Sequence, residues 1–105
     1  MSVVDRVLKA LNEGDIDAFV ACYGLEATIE NGYGRVAATG HDELRAMYGA
    51  MFEAYPGIRV EPGWRKEVGD FVVQEETVTG RRGHEQHVAV YQVENDVIVR
   101  ERLFA

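Results

Sequence analysis

From Phe71 to Phe104 the sequence reads as three successive antiparallel strands joined by two tight turns. FVVQEETVT stops at Gly80-Arg81-Arg82-Gly83, HEQHVAVYQVE stops at Asn95-Asp96, and VIVRERLF follows. Runs rich in Val, Tyr and Thr, bounded by Gly and Asn-Asp pairs, are the sequence signature of hairpins. A meander of this length must bury one of its faces, so the upstream chain has to supply a cover for it.

Side chains alternate between the two faces of a strand, so the turns assign the faces. With Arg81-Arg82 as the first turn, Glu76 lies opposite His87. With Asn95-Asp96 as the second, Tyr91 lies opposite Arg100 and Ala89 opposite Arg102. One face then carries Val72, Gln74, Glu76, Val78, Glu85, His87, Ala89, Tyr91, Val93, Ile98, Arg100, Arg102 and Phe104. The other carries Val73, Glu75, Thr77, Gln86, Val88, Val90, Val97, Val99 and Leu103. A slip of one residue in either hairpin would break this division.

Upstream, Ser2 with Asp5 three residues on resembles a capping box, and Val4, Val7, Leu8 and Leu11 form an amphipathic stripe ending at Gly14. Asp15 caps a second helix with the stripe Ile16, Phe19, Val20 and Tyr23, ended by Gly24. Ala27 to Asn31 reads as a short strand, and Gly32 to Gly40 as an irregular segment. The third helix has Thr39 and Asp42 as candidate caps. It carries Leu44, Met47, Tyr48, Met51, Phe52 and Tyr55 on one face until Pro56-Gly57 stops it. That stripe reads as core, with a cavity wall as the alternative. Ile58 to Val68 is a strand whose Pro62-Gly63 calls for an edge position or a bulge. The order is α-α-β-α-β-β-β-β, a single α+β domain over residues 1–105.

Composition narrows the function. The chain has 105 residues and a formal net charge of −7, which repels nucleic acid and anionic membranes. No apolar run reaches the roughly 20 residues that span a bilayer. The start MSVVDRVLKAL lacks the pattern of a signal peptide, so a cytoplasmic protein is expected. The single cysteine, Cys22, excludes an internal disulfide and reads as a small residue on a packed helix. No phosphate loop, HExxH, nucleophile elbow or EF-hand loop occurs. His84 and His87 point to opposite faces of a strand, so no metal site is expected.

What remains is the polar cluster Glu76, His87 and Arg102, with Gln74, Tyr91 and Arg100 on the same face. A carboxylate beside an imidazole, shielded by the third helix, suits general acid–base work. The same residues also read as a structural ion network.

The chain resembles the nuclear-transport-factor-2-like superfamily, which includes ketosteroid isomerases and SnoaL-like polyketide cyclases. The resemblance rests on ALNEGDIDAFVACYGLEATIEN, TGHDELRAMY and VTGRRG followed by VYQVENDVIVRERLF. It implies a cone-shaped, curved antiparallel sheet whose cavity is closed by three helices. The three catalytic positions of ketosteroid isomerases fall on Val7, Asn31 and Ala89, so that mechanism is not expected. The fold hosts many functions. Two readings follow: a cofactor-independent isomerase, lyase or hydrolase for a small, partly apolar substrate, or a non-catalytic ligand-binding or dimerisation domain. In the first, Glu76 is the base, His87 its proton partner, and Arg102 or Arg100 orients the substrate. Asn31, Tyr48, Phe52, Gln74, Tyr91, Arg100 and Phe104 line the binding site. The resemblance also implies a homodimer through the convex face, where Val73, Val88, Val90, Val97 and Val99 gather.

Overall fold

The caps written into the first thirty residues operate as read in the computed structural model, which describes residues 1–105. Ser2 Oγ accepts from the Asp5 amide at the start of α1 (Val3–Glu13), and Gly14 closes the helix in the left-handed conformation. The whole apolar stripe of α1 is buried. Asp15 caps α2 (Ile16–Ala21) by accepting from the Ala18 amide. That helix ends two residues short of the end of its stripe. Cys22 is its cap, and Tyr23 begins strand β1 (Tyr23–Asn31), where it is still buried.

The segment read as irregular contains a further strand, β2 (Val36–Thr39), paired antiparallel with β1. It has four residues, of which Ala38 alone is buried, so neither length nor pattern announced it. Helix α3 (Gly40–Ala54) follows with Thr39 as its N-cap residue. Glu43, one turn into the helix, holds that end, since its Oε1 accepts from the Thr39 amide. The strands β3 (Arg59–Val68), β4 (Phe71–Thr79), β5 (Glu85–Glu94) and β6 (Val97–Phe104) complete the chain.

The six strands form one sheet in the order β2-β1-β6-β5-β4-β3. It is mixed rather than wholly antiparallel, because β1 runs parallel to β6. The long crossover from β1 to β6 is the rest of the chain. The edge strand β3 is bulged between Pro62 and Arg65, where the sequence called for a bulge or an edge. Asn12, at the end of α1, donates to the Val60 carbonyl and accepts from its amide, tying that helix to the edge. The three helices lie on the concave side. The buried core joins α1, Phe19 and Val20 of α2, and Leu44 and Tyr48 of α3 to the concave residues of the sheet.

The two hairpins differ in how closely they follow the sequence reading. Between β4 and β5, Glu76 pairs with His87 and Gln74 with Ala89, as the first turn dictates. At the second turn, Asn95 and Asp96 both adopt positive φ, and Glu94 pairs with Val97 and Val93 with Ile98. The register then shifts: Gln92 pairs with Arg100, Tyr91 with Glu101, Val90 with Arg102 and Ala89 with Leu103. Val99 is the extra residue of a bulge. Every side chain beyond it changes face.

Candidate functional site

The concave side of the sheet holds a cavity of ≈110 Å³ under α1 and α3. Twelve of its sixteen lining residues are hydrophobic, and the other four are Glu76, Glu101, Arg81 and His87. Outward it meets a depression of ≈290 Å³, with which it shares Tyr48, Met51, Arg81 and Leu103.

Glu76 sits on β4 with only 3% of its surface exposed. Its carboxylate accepts from His87 Nε2 at 2.7 Å, from Gln74 Nε2 at 2.9 Å, and from the Tyr91 hydroxyl. Gln74 is itself fully buried, and its Oε1 accepts from Arg65 Nε at 2.7 Å. Arg65 also reaches Asp5 in the first turn of α1 (2.6 Å), so a continuous polar chain runs from the helix cap to Glu76. The Arg65 guanidinium holds the Asp5 carboxyl below its usual range. Such a fully partnered chain fixes Glu76 in place.

Glu101 is the second carboxyl in the cavity, 4% exposed, on β6. It accepts a single hydrogen bond, from the Tyr23 hydroxyl at 2.6 Å. Burial pushes its pKa up to about 8; the bond from Tyr23 opposes this and the charge of Glu76 adds to it. At neutral pH Glu101 is therefore mainly the neutral acid. No buried side-chain oxygen or nitrogen lacks a partner, so the other Glu101 oxygen, which receives no bond, opens onto the cavity. The Tyr48 hydroxyl, held well above its normal pKa by burial, likewise has no bond within the chain. The site thus offers an ordered, multiply hydrogen-bonded carboxylate and a neutral carboxylic acid in one apolar cavity. Unequal surroundings for two carboxyls are what separates a base from an acid.

Of the residues singled out in the sequence, Glu76, His87 and Tyr91 come together as expected, with Gln74 directly behind Glu76. Tyr48 lines the cavity, but Phe52 does not. Phe52 packs edge-on to Phe19 (centroids 6.0 Å) and Tyr48 (6.4 Å), and Met51 takes its place at the wall. Asn31 stands at the outer depression, with Oδ1 committed to the amides of Tyr33 and Arg35 in the turn after β1.

Arg100, Arg102 and Phe104 are not part of this constellation, because the Val99 bulge turns them to the convex face. There both arginines clamp Glu30: Arg100 through Nε (2.6 Å) and Nη2 (3.0 Å), and Arg102 through Nη2 (2.8 Å). The Arg100 pair, then the Arg102 pair, pull Glu30 down to a pKa of about 2. The same bulge brings in Glu101 and Leu103. Alternation alone had placed Leu103 on the convex face and could not bring Glu101 to the cavity. Arg81, read only as part of a hairpin tip, turns inward to the mouth, whereas Arg82 stays exposed. The residue-type signal for the bulge was faint: Arg-Glu-Arg among valines gives no preference for which charge faces inward.

A family model described as the SnoaL-like domain matches residues 4–101 of the chain. Among solved structures, an uncharacterised cystatin-fold protein from Novosphingobium aromaticivorans is 26% identical. It superposes with a TM-score of 0.93 over 100% of this chain and 99% of the other. A Sinorhizobium meliloti protein assigned as a polyketide cyclase is 19% identical with a TM-score of 0.85, over 96% and 92% of the two chains. An M. tuberculosis LEH-like epoxide hydrolase is 22% identical with a TM-score of 0.81, over 97% and 78%. No curated protein matches the sequence. No helix is long and apolar enough to cross a membrane.

Proposed function

The chain belongs to the SnoaL-like domain family, and from that premise we propose that it is a cofactor-independent acid–base enzyme acting on a small, partly apolar carbonyl compound. The observation that carries this reading is the pair of buried carboxyls with opposed surroundings, Glu76 and Glu101, facing one apolar cavity. Glu76 is the base that removes a proton next to the carbonyl, with His87 as its proton partner. Glu101, as the neutral acid, and Tyr48 donate to the carbonyl oxygen as charge develops on it. The activities named for proteins of this fold, polyketide cyclase and epoxide hydrolase among them, are compatible with such a cavity.

The size of the cavity favours a compact substrate, since ordinary ligand clefts measure about 300–1,000 Å³. Deuterium uptake next to the carbonyl of small cyclic ketones, followed by NMR in D₂O, tests the reading directly. The wild type should exchange faster than buffer, and Glu76→Gln should lose roughly 10²–10⁴-fold of the rate. A wild type no faster than buffer across the panel, or a Glu76→Gln variant at full rate, rejects it.

One observation favours a second reading, a non-catalytic ligand-binding domain. Both Glu76 oxygens already have partners within the chain, as a structural carboxylate would. Ligand binding without exchange in the same assay would select it.

We also infer a homodimer through the convex face. Val73, Val88, Val90, Val97 and Val99 are there only half-buried in the single chain, and Phe71 and Phe104 are 44% and 39% exposed beside them.

A further inference from the structure

Arg81 is the only lysine or arginine that lines the cavity, and it stands where the cavity meets the outer depression. Its Nε and Nη2 donate to the Glu85 carboxylate at 3.1 and 3.2 Å. Its Nη1 donates only to the Met51 thioether, at 3.3 Å. Sulfur in a thioether is a weak acceptor, so this donor is held in place without a strong partner. An incoming carboxylate oxygen would form a charge-assisted bond there in exchange for a weak one.

The backbone that carries Arg81 is constrained as well. Gly80 and Gly83 on either side have φ of 82° and 89°. A Cβ at Gly80 would lie 2.3 Å from the Gly57 carbonyl oxygen, so the hairpin tip is pressed against the turn after α3. Only glycine allows both that φ and that approach. Arg81 is thereby fixed over the mouth, which lowers the ordering cost of binding.

The charge of the rest of the molecule does not forbid an anion at this place. The net −7 is a total for the chain; exposed charges farther away than about 8 Å are largely screened at physiological salt, and the nearest carboxylate, Glu85, is already paired with Arg81. Inside the cavity Glu101 is mainly neutral at pH 7, and Glu76 is hydrogen-bonded by His87.

We propose that Arg81 is a specificity-determining residue that receives the carboxylate of a small oxo acid at the cavity mouth. The carbon chain of that acid lies between Tyr48, Met51 and Leu103, and its carbonyl faces Glu101 and Tyr48. The placing of the carbonyl rests on the acid–base reading above; the recognition of the carboxylate does not.

The test compares 4-oxopentanoate with 4-oxopentanamide, which differ in charge but little in shape, by NMR chemical-shift titration of the ¹⁵N-labelled protein. The carboxylate should bind the wild type about tenfold or more tighter than the amide. Arg81→Gln should erase that preference with the spectrum otherwise native, and Arg81→Lys should keep part of it. Equal affinities in the wild type, binding of neither probe, or an Arg81→Gln variant that still prefers the carboxylate overturns the proposal. Since no turnover is read, Arg81-dependent selectivity without deuterium exchange would retain this inference and reject the acid–base reading alone.

Discussion

Glu101 has one neighbour that stabilises its charge and a cavity that does not. Its carboxyl is raised from an ordinary value near 4.5 to about 8. A folded-state pKa above the unfolded one means that the native protein holds a proton the unfolded chain releases. Its stability contribution is complete below about pH 4.5 and is lost as pH rises to about 8. Glu101→Gln, neutral at every pH, should therefore leave the melting temperature little changed near pH 5 and raise it at pH 8. Melting curves across that range check this; a parallel shift at all pH values would mean Glu101 is charged in the native state. Glu30 has the opposite sign. Held at about 2 by Arg100 and Arg102, it stabilises the native state above about pH 4.5 and that contribution fades as pH falls toward 2. The arginines are half to one-third exposed, so solvent and salt should weaken this term. Glu30→Gln should narrow the stability difference between pH 6 and pH 3, as acid-induced unfolding followed by circular dichroism would record.

At the scale of elements, one residue in β6 decides the chemistry of the cavity. Without the Val99 bulge, the register set by the Asn95-Asp96 turn would send Arg100, Arg102 and Phe104 inward and Glu101 outward. Deletion of Val99 removes only the extra residue: Arg100 then follows Ile98 directly and still lies opposite Gln92, and Glu101 still lies opposite Tyr91. The expected outcome is a variant that keeps a dispersed NMR spectrum with Glu101 inward and the Glu30 clamp intact; a deletion variant that fails to fold would refute the account of Val99 as the extra residue. The third helix gives a graded case. Leu44 is wholly buried, and Leu44→Ala should cost roughly 2–5 kcal/mol in urea unfolding. Phe52 is only partly buried against Phe19 and Tyr48, so Phe52→Ala should fall below the roughly 3–5 kcal/mol of a fully buried phenylalanine.

The whole molecule has two faces, a concave one closed by helices and a convex one left without cover in the single chain. The arginine clamp on Glu30 belongs to the convex face, beside a shallow hollow formed by Phe71, Val90, Gln92, Arg100, Arg102 and Phe104. A twofold interface would place such a patch against its own copy. Light scattering at micromolar concentration should give twice the chain mass of 11.7 kDa. Val88→Lys, central on that face and opposite Phe104, should give the single-chain mass while keeping the fold. A wild type already at the single-chain mass would reject the dimer.

Local signals were sufficient for the caps at Ser2, Gly14 and Asp15, for the two hairpin turns, and for the pairing of Glu76 with His87. Each depends on residues a few positions apart, or on a turn whose geometry sets the register directly. The family and its fold were legible for the same reason, since the pattern of elements runs nearly end to end. What the sequence left open were the bulge at Val99, the short strand β2 and the parallel pairing of β1 with β6. These depend on neighbours distant in the chain. Beyond the bulge, outward-facing Arg100 and Arg102 reach Glu30 of β1, and inward-facing Glu101 reaches Tyr23 at the other end of that strand. Strand alternation is blind to partners seventy residues away, and those partners decide which of three consecutive charged residues enters the cavity.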